Sequence, residues 1–112
     1  MASFKTILIP STDLPASREL YRALLGAEPS ADAAYYVGFD VDGQHIGLVP
    51  GSPAVRPQLH VDDMAAAIAL ITSAGGTVLE DAKGVGGGRL VALVRDPSGA
   101  EIGLLDDSGA GS

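Results

Sequence analysis

Cysteine and tryptophan are both missing from the 112 residues, and the aromatic side chains amount to three Tyr and two Phe. Without cysteine there is no disulfide framework, no thiolate metal site and no thiol nucleophile. Basic residues are scarce as well: seven Lys and Arg against fourteen Asp and Glu leave a formal charge of −7. That sign is wrong for neutralising phosphates or resting on an anionic leaflet, so the expectation is no nucleic-acid partner and no membrane partner. No apolar run approaches the roughly 20 residues of a spanning helix, and residues 1–13 hold too short an apolar stretch for a signal peptide. The expectation is one cytoplasmic domain over residues 1–107, followed by a flexible polar tail at 108–112.

What the chain does contain is a repeat. A shift of fifty positions lays TILIPSTDLPASRELYRALLGA over RPQLHVDDMAAAIALITSAGGT without a gap, so Ile9 meets Leu59, Asp13 meets Asp63, Leu20 meets Leu70 and Gly26 meets Gly76. Further along, a shift of fifty-six puts FDVDGQHIGLV over RDPSGAEIGLL, where Gly43 meets Gly99, Ile46 meets Ile102 and Leu48 meets Leu104. The six extra residues fall near AKGVGGG, residues 82–88.

Each repeat reads as βαβββ. A strand at 4–10 or 58–61 leads to an Asp placed to cap a helix, Asp13 in one repeat and Asp62 or Asp63 in the other. Leu14, Ala16, Leu20, Leu24 and Leu25 then recur at roughly helical spacing, as do Met64, Ala67, Ile68, Ile71 and Ala74. Pro15 sits in a first turn, and Gly26 and Gly75–Gly76 are available as terminators. Weaker strands follow at 28–31 and 77–80. Hairpins are expected from 35–41 and 44–49 around Asp42–Gly43, and from 89–95 and 100–105 around Ser98–Gly99. A unit of about 50 residues buries too little apolar surface alone, so the two should pack together.

The motifs in this order resemble one family. Asp13, Leu14 and Ser17 after the first strand, Tyr21, Leu25–Gly26, the Ala-Gly-Gly-Thr-Val of residues 74–78, and Asp96, Pro97 and Gly99 before the last strand are similar to the vicinal oxygen chelate superfamily. This is the glyoxalase, bleomycin-resistance and extradiol dioxygenase group, and the resemblance spans residues 4–106. It implies an α+β fold of two paired βαβββ modules, 4–50 and 56–106, forming a curled mixed sheet around a concave pocket often completed by a partner subunit. Metal-using members place a His near the start of a module's first strand and a Glu in its last. Carried onto this chain, the His positions fall at Thr6 and Arg56 and the Glu positions at Gly47 and Gly103. None is a usual ligand, and a guanidinium repels a dication. The expectation is therefore no metal and no cofactor.

Strand alternation extends that reading. If those four positions mark the pocket face, Thr6, Leu8 and Pro10 share it with Arg56, Gln58 and His60, with His45 and Val49, and with Glu101 and Leu105. The opposite set, Ile7, Ile9, Ile46, Leu48, Leu59, Val61, Ile102 and Leu104, is wholly large aliphatic, as a helix-facing core requires. For the third strands the same logic turns Tyr35, Val37, Phe39, Arg89, Val91 and Leu93 toward the cavity. The ligand-binding candidates are Thr6, Leu8, Tyr35, His45, Arg56, Gln58, His60 and Glu101. Arg56 suits a bidentate clamp on a carboxylate, and His60 with Glu101 suits proton transfer.

Other motifs carry less. In residues 84–88, GVGGG, no Lys-Ser/Thr follows and a strand comes next, so a rim loop is expected rather than a phosphate cradle. Ser11, Ser17 and Ser52 lack a G-x-S-x-G setting. The expectation is a metal-independent protein, a homodimer that binds, sequesters or carries a small organic molecule. The alternative is a metal-independent isomerase or lyase in which Arg56 steadies an enolate-like charge while His60 or Glu101 moves a proton on a carbonyl substrate. A regulatory module with a vestigial cavity is a third possibility.

Overall fold

The computed structural model describes residues 2–51 and 54–109. The elements run β1 (Ser3–Pro10), α1 (Leu14–Leu25), β2 (Ala31–Ala33), β3 (Tyr36–Val41), β4 (Gln44–Val49), β5 (Arg56–His60), α2 (Met64–Ser73), β6 (Thr77–Gly84), β7 (Leu90–Arg95) and β8 (Glu101–Asp106). The fold is α+β, with the βαβββ pattern present twice. Contacts group the chain into two compact units, one over Lys5–Pro57 and the other over the residues up to Phe4 together with those from Gln58 onward.

In module one the strands lie β2-β3-β4-β1, with β1 parallel to β4 and the other neighbours antiparallel. In module two they lie β6-β7-β8-β5, with β5 parallel to β8. The repeat is legible bond by bond. Leu8 faces Gly47 in one module and Gln58 faces Gly103 in the other. The Ser11 amide donates to the Val49 carbonyl as that of Val61 does to Leu105. Asp13 accepts from the Ala16 amide at 3.2 Å, and Asp63 accepts from that of Ala66 at 3.0 Å. Asp63, not Asp62, is therefore the second cap.

Each helix covers one face of its own module's strands. Beneath α1, Val37, Phe39, Ile46 and Leu48 are buried with Ile9, Leu14, Tyr21 and Leu25 against them. Beneath α2, Val61, Met64, Ala92, Val94 and Leu104 form the core, joined by Leu59, Ile68, Ile71 and Ile102. Seven of the eight aliphatics expected to face a helix belong to these clusters; Ile7 is the exception, at 36% exposure.

Several boundaries differ from expectation. The second strand of module one forms at Ala31–Ala33 rather than at 28–31, beyond Pro29, whose missing N–H and fixed φ suit a connection. The β6 strand runs on to Gly84, four residues past the expected 77–80 and up to the first residue of the expected rim loop, because its residues Lys83 and Gly84 pair with Val91 and Leu90. What remains is a turn at Gly86, Gly87 and Gly88, all at positive φ, closed by Val85 N–H to Arg89 O at 3.1 Å. A strand and not a helix follows it, so no phosphate cradle is built here. Ser52 and residues 110–112 of the expected tail lie outside the described residues.

Candidate functional site

The hairpin between β3 and β4 sets the geometry of the site. Asp42 at φ 51 and Gly43 at φ 80 make a two-residue turn of the kind that matches strand twist, and so place Val41 opposite Gln44. Counting back from that pair, Asp40 faces His45, Phe39 faces Ile46, Gly38 faces Gly47 and Val37 faces Leu48. Residues directly opposite share a face. Phe39 and Val37 therefore go under α1 with Ile46 and Leu48, while Tyr36, Gly38 and Asp40 turn to the other face with His45 and Gly47.

On that face the opposed glycines form a floor. A Cβ at Gly38 would lie 2.7 Å from His45 Cε1, and one at Gly47 would lie 2.5 Å from Tyr36 Oη and 2.9 Å from Leu8 Cδ2. Only backbone without side chain leaves room for both rings, whose planes are nearly parallel, 12° apart, with centroids separated by 6.0 Å. The Tyr36 hydroxyl is hydrogen-bonded to His45 Nε2, and His45 Nδ1 is 2.7 Å from Asp40 Oδ1.

Charge fixes the sense of these bonds. The Ser30 hydroxyl, then His45, hold the Asp40 carboxyl below its ordinary range, so it is an acceptor near neutral pH. An ionised carboxylate accepts a hydrogen bond from His45 Nδ1–H, which in the neutral ring leaves Nε2 as an acceptor for the Tyr36 O–H. Burial, then the Asp40 charge, raises the Tyr36 phenol above its usual value, keeping it protonated. The result is a carboxylate, an imidazole and a phenol in one hydrogen-bonded line, a layout suited to moving or sharing a proton.

The residues singled out from sequence fall into separate groups. Thr6 is buried opposite His45, and Leu8 lies against Gly47 on the same face. Tyr35 is 76% exposed and precedes β3; Tyr36 takes the place proposed for it. In module two, Arg56, Gln58 and His60 are half-buried at alternate positions of β5 and share a face, with Gln58 opposite Gly103 and His60 opposite Leu105. Glu101 is exposed and pairs with Arg95 across the β7–β8 hairpin at 3.3 Å, in the position that Asp40 and His45 occupy in module one. Val91 and Leu93 lie on the face away from α2, as expected, whereas Val37 and Phe39 are core.

Tyr36 and Asp40 escaped the sequence reading, although the Asp-Gly turn carried the signal. A second missed feature is a cleft of about 450 Å³ on the helix side of module one, lined by Leu14, Pro15, Arg18, Asp32, Ala33, Ala34 and Val37. Arg18 Nε donates to Asp32 Oδ2 there at 2.9 Å. Ser11 and Ser17 share a 2.7 Å hydroxyl bond at the start of α1, with Ser11 Oγ also accepting from the Asp13 amide, so both serve the helix start.

The residues do not fit the divalent ion that metal-using members of the resembled group hold. Thr6, Gly47, Arg56 and Gly103 stand at the ligand positions, and the space beside Gly47 is taken by the Tyr36 hydroxyl and Leu8. Among the described residues no three His, Asp or Glu side chains gather closely enough to hold a metal. Nor, among them, is any helix long and apolar enough to cross a membrane.

Comparison with known proteins agrees with this architecture. A family model described as a glyoxalase-like domain matches residues 6–105. No curated protein matches the chain in sequence. Among solved structures, a Streptomyces coelicolor methylmalonyl-CoA epimerase variant in complex with 2-nitronate-propionyl-CoA is similar at a TM-score of 0.74 and 20% identity, covering 98% of this chain and 97% of that one. An NAD-dependent benzaldehyde dehydrogenase from Legionella pneumophila is similar at 0.75 and 14% identity, over 90% and 96%. A glyoxalase/bleomycin resistance protein/dioxygenase superfamily member from Vibrio splendidus 12B01 is similar at 0.72 and 15%, over 96% and 100%. At these identities the likeness is one of fold.

Proposed function

The chain belongs to the glyoxalase-like domain family of the vicinal oxygen chelate superfamily, and from that premise we propose that it binds a small organic molecule without a resident metal ion. It sequesters or carries that molecule as a homodimer in the cytoplasm. The observation that carries this reading is the floor of module one. Where a metal ligand would stand there is Gly47, with Tyr36 and Leu8 over it and His45 over the opposed Gly38, an apolar surface with a polar chain running through it. Small-molecule sites have this composition.

Two measurements on the purified chain test it. Elemental analysis after dialysis against zinc, nickel, iron and manganese is expected to find no stoichiometric metal. A metabolite library screened by the ring signals of His45 and His60 is expected to yield compounds that shift His45. Stoichiometric metal held by protein side chains, or a library without a single perturbing compound, overturns the reading.

A second reading, a metal-independent isomerase or lyase acting on a carbonyl compound, is favoured by the Asp40–His45–Tyr36 line. In that reading Tyr36 passes a proton between the substrate and His45. Loss of turnover with retained binding in Tyr36→Phe would select it over simple binding.

A further inference from the structure

We propose that the Asp40–His45–Tyr36 chain is a proton-coupled oxyanion site: a carboxylate or similar anion seated at the Tyr36 hydroxyl binds together with one proton, which is held on His45. The inference rests on the small-molecule reading and names the ligand class and its regulation.

The argument begins from the number of protons in the line. With His45 neutral, the proton on Nδ1 goes to Asp40 and the single Tyr36 proton goes to Nε2. Tyr36 Oη then offers a ligand only lone pairs, and the site carries the net negative charge of Asp40. An incoming anion meets repulsion and no donor. When His45 gains a proton, Nε2–H becomes a donor to Tyr36 Oη, and the phenolic proton is released to point outward. The site's net charge is then zero, and one hydroxyl donor is free to meet an oxyanion, backed by an imidazolium.

Asp40 holds Nδ1–H in both states, so one proton reverses the whole chain while the rings stay in place. The groups facing His45 within the module are few: Asp40 and Tyr36 from β3, the Ser30 hydroxyl acting through Asp40, and uncharged Thr6 opposite on β1. Linkage makes the effect reciprocal. Proton uptake tightens anion binding, and the bound anion raises the affinity of His45 for its proton.

The test uses benzoate, whose ring suits the Leu8 and Tyr36 surface, and benzamide as its neutral counterpart. The pH midpoint of the His45 Cε1–H signal is followed in the intact protein, with His60 as the internal comparison. Saturating benzoate is expected to raise the His45 midpoint by about one pH unit, which is about a tenfold preference of the anion for the protonated site. Benzamide is expected to leave the midpoint where it was. Tyr36→Phe, which keeps the His45–Asp40 pair, is expected to lose the benzoate effect. An unmoved midpoint in the parent chain, or an undiminished shift in Tyr36→Phe, overturns the inference. If either compound perturbs the ring signals while the midpoint holds still, this inference falls and the binding reading stands; the library screen judges that reading separately.

Discussion

Gly38 lies directly opposite Gly47 in the β3–β4 ladder, and the two together carry the rings of Tyr36 and His45. Glycine weakens a strand interior and has no side chain to pack, so its presence at both members of a pair marks a close approach. Here the approaching groups are the two aromatic side chains whose hydroxyl and ring nitrogen meet.

Replacing either glycine tests that account. Gly47→Ala would force Tyr36 Oη and Leu8 Cδ2 away from contacts of 2.5 and 2.9 Å. The expected cost is about 1–3 kcal/mol, typical of overpacking, read as a lower urea midpoint at unchanged slope. Displacement of the Tyr36 ring would also appear as a shift of the His45 signals; no change in either quantity would contradict the packing described.

A different glycine effect is expected at the end of α1. Gly26 adopts φ 64, its amide donates to the Arg22 carbonyl, and nothing lies within 4 Å of a Cβ added there. Gly26→Ala should therefore cost about 1 kcal/mol through backbone conformation alone. Gly84→Ala, with the same open space but without a positive φ, should be close to neutral. Equal thermal midpoints for the two variants would sink the distinction.

Core truncation should report on each module. Leu48 and Leu104 are fully buried under α1 and α2, respectively. Leu48→Ala and Leu104→Ala are each expected to destabilise by about 2–5 kcal/mol in chemical denaturation. A loss well under this range would mean that the site collapses around the missing atoms.

Acid sensitivity should come from three carboxyl groups held below their ordinary range. The amide of Ala100 and the hydroxyl of Ser98 lower Asp96; the hydroxyl and amide of Ser108, with the amide of Met64, lower Asp106; Ser30 and His45 lower Asp40. Each folded value lies below the unfolded one, so the stabilisation is full above about pH 4 and is lost as the pH falls through the lowered values. Asp96→Asn should thus be less stable than the parent at pH 7 by a margin that shrinks as the pH is taken toward 2. A margin independent of pH would show that the Asp96 hydrogen bonds do not depend on its charge.

Much of the fold was legible because the repeat gave each element a counterpart. The fifty-residue shift paired Asp13 with Asp63, and both cap helices through the amide three residues on. The aliphatic set Ile9, Ile46, Leu48, Leu59, Val61, Ile102 and Leu104 went beneath the helices because every other residue of a strand shares a face. In the third strand of module one, alternation counted from Tyr35 is one residue out of step with the structure, where Val37 and Phe39 are core. The Tyr35–Tyr36 doublet offers two equivalent anchors, and alternation alone does not choose between them. The turn does: Asp42–Gly43 allows only two residues between strands, which fixes Phe39 opposite Ile46 and so brings Tyr36 and Asp40 to the face of His45. Side-chain pairing between strands, as in Tyr36 with His45, has no signature at fixed sequence spacing and shows only in the folded chain.

Asp106 closes β8 and also reaches back to α2, where its Oδ2 accepts from the Met64 amide at 2.9 Å while Oδ1 accepts from the Ser108 amide at the same distance. The last residue of the final strand is thus a clasp on a helix that begins more than forty positions earlier. Proteolytic trimming that removed Asp106 would unlatch that helix without cutting any part of the helix itself, so an affinity tag or fusion partner belongs downstream of Ser108.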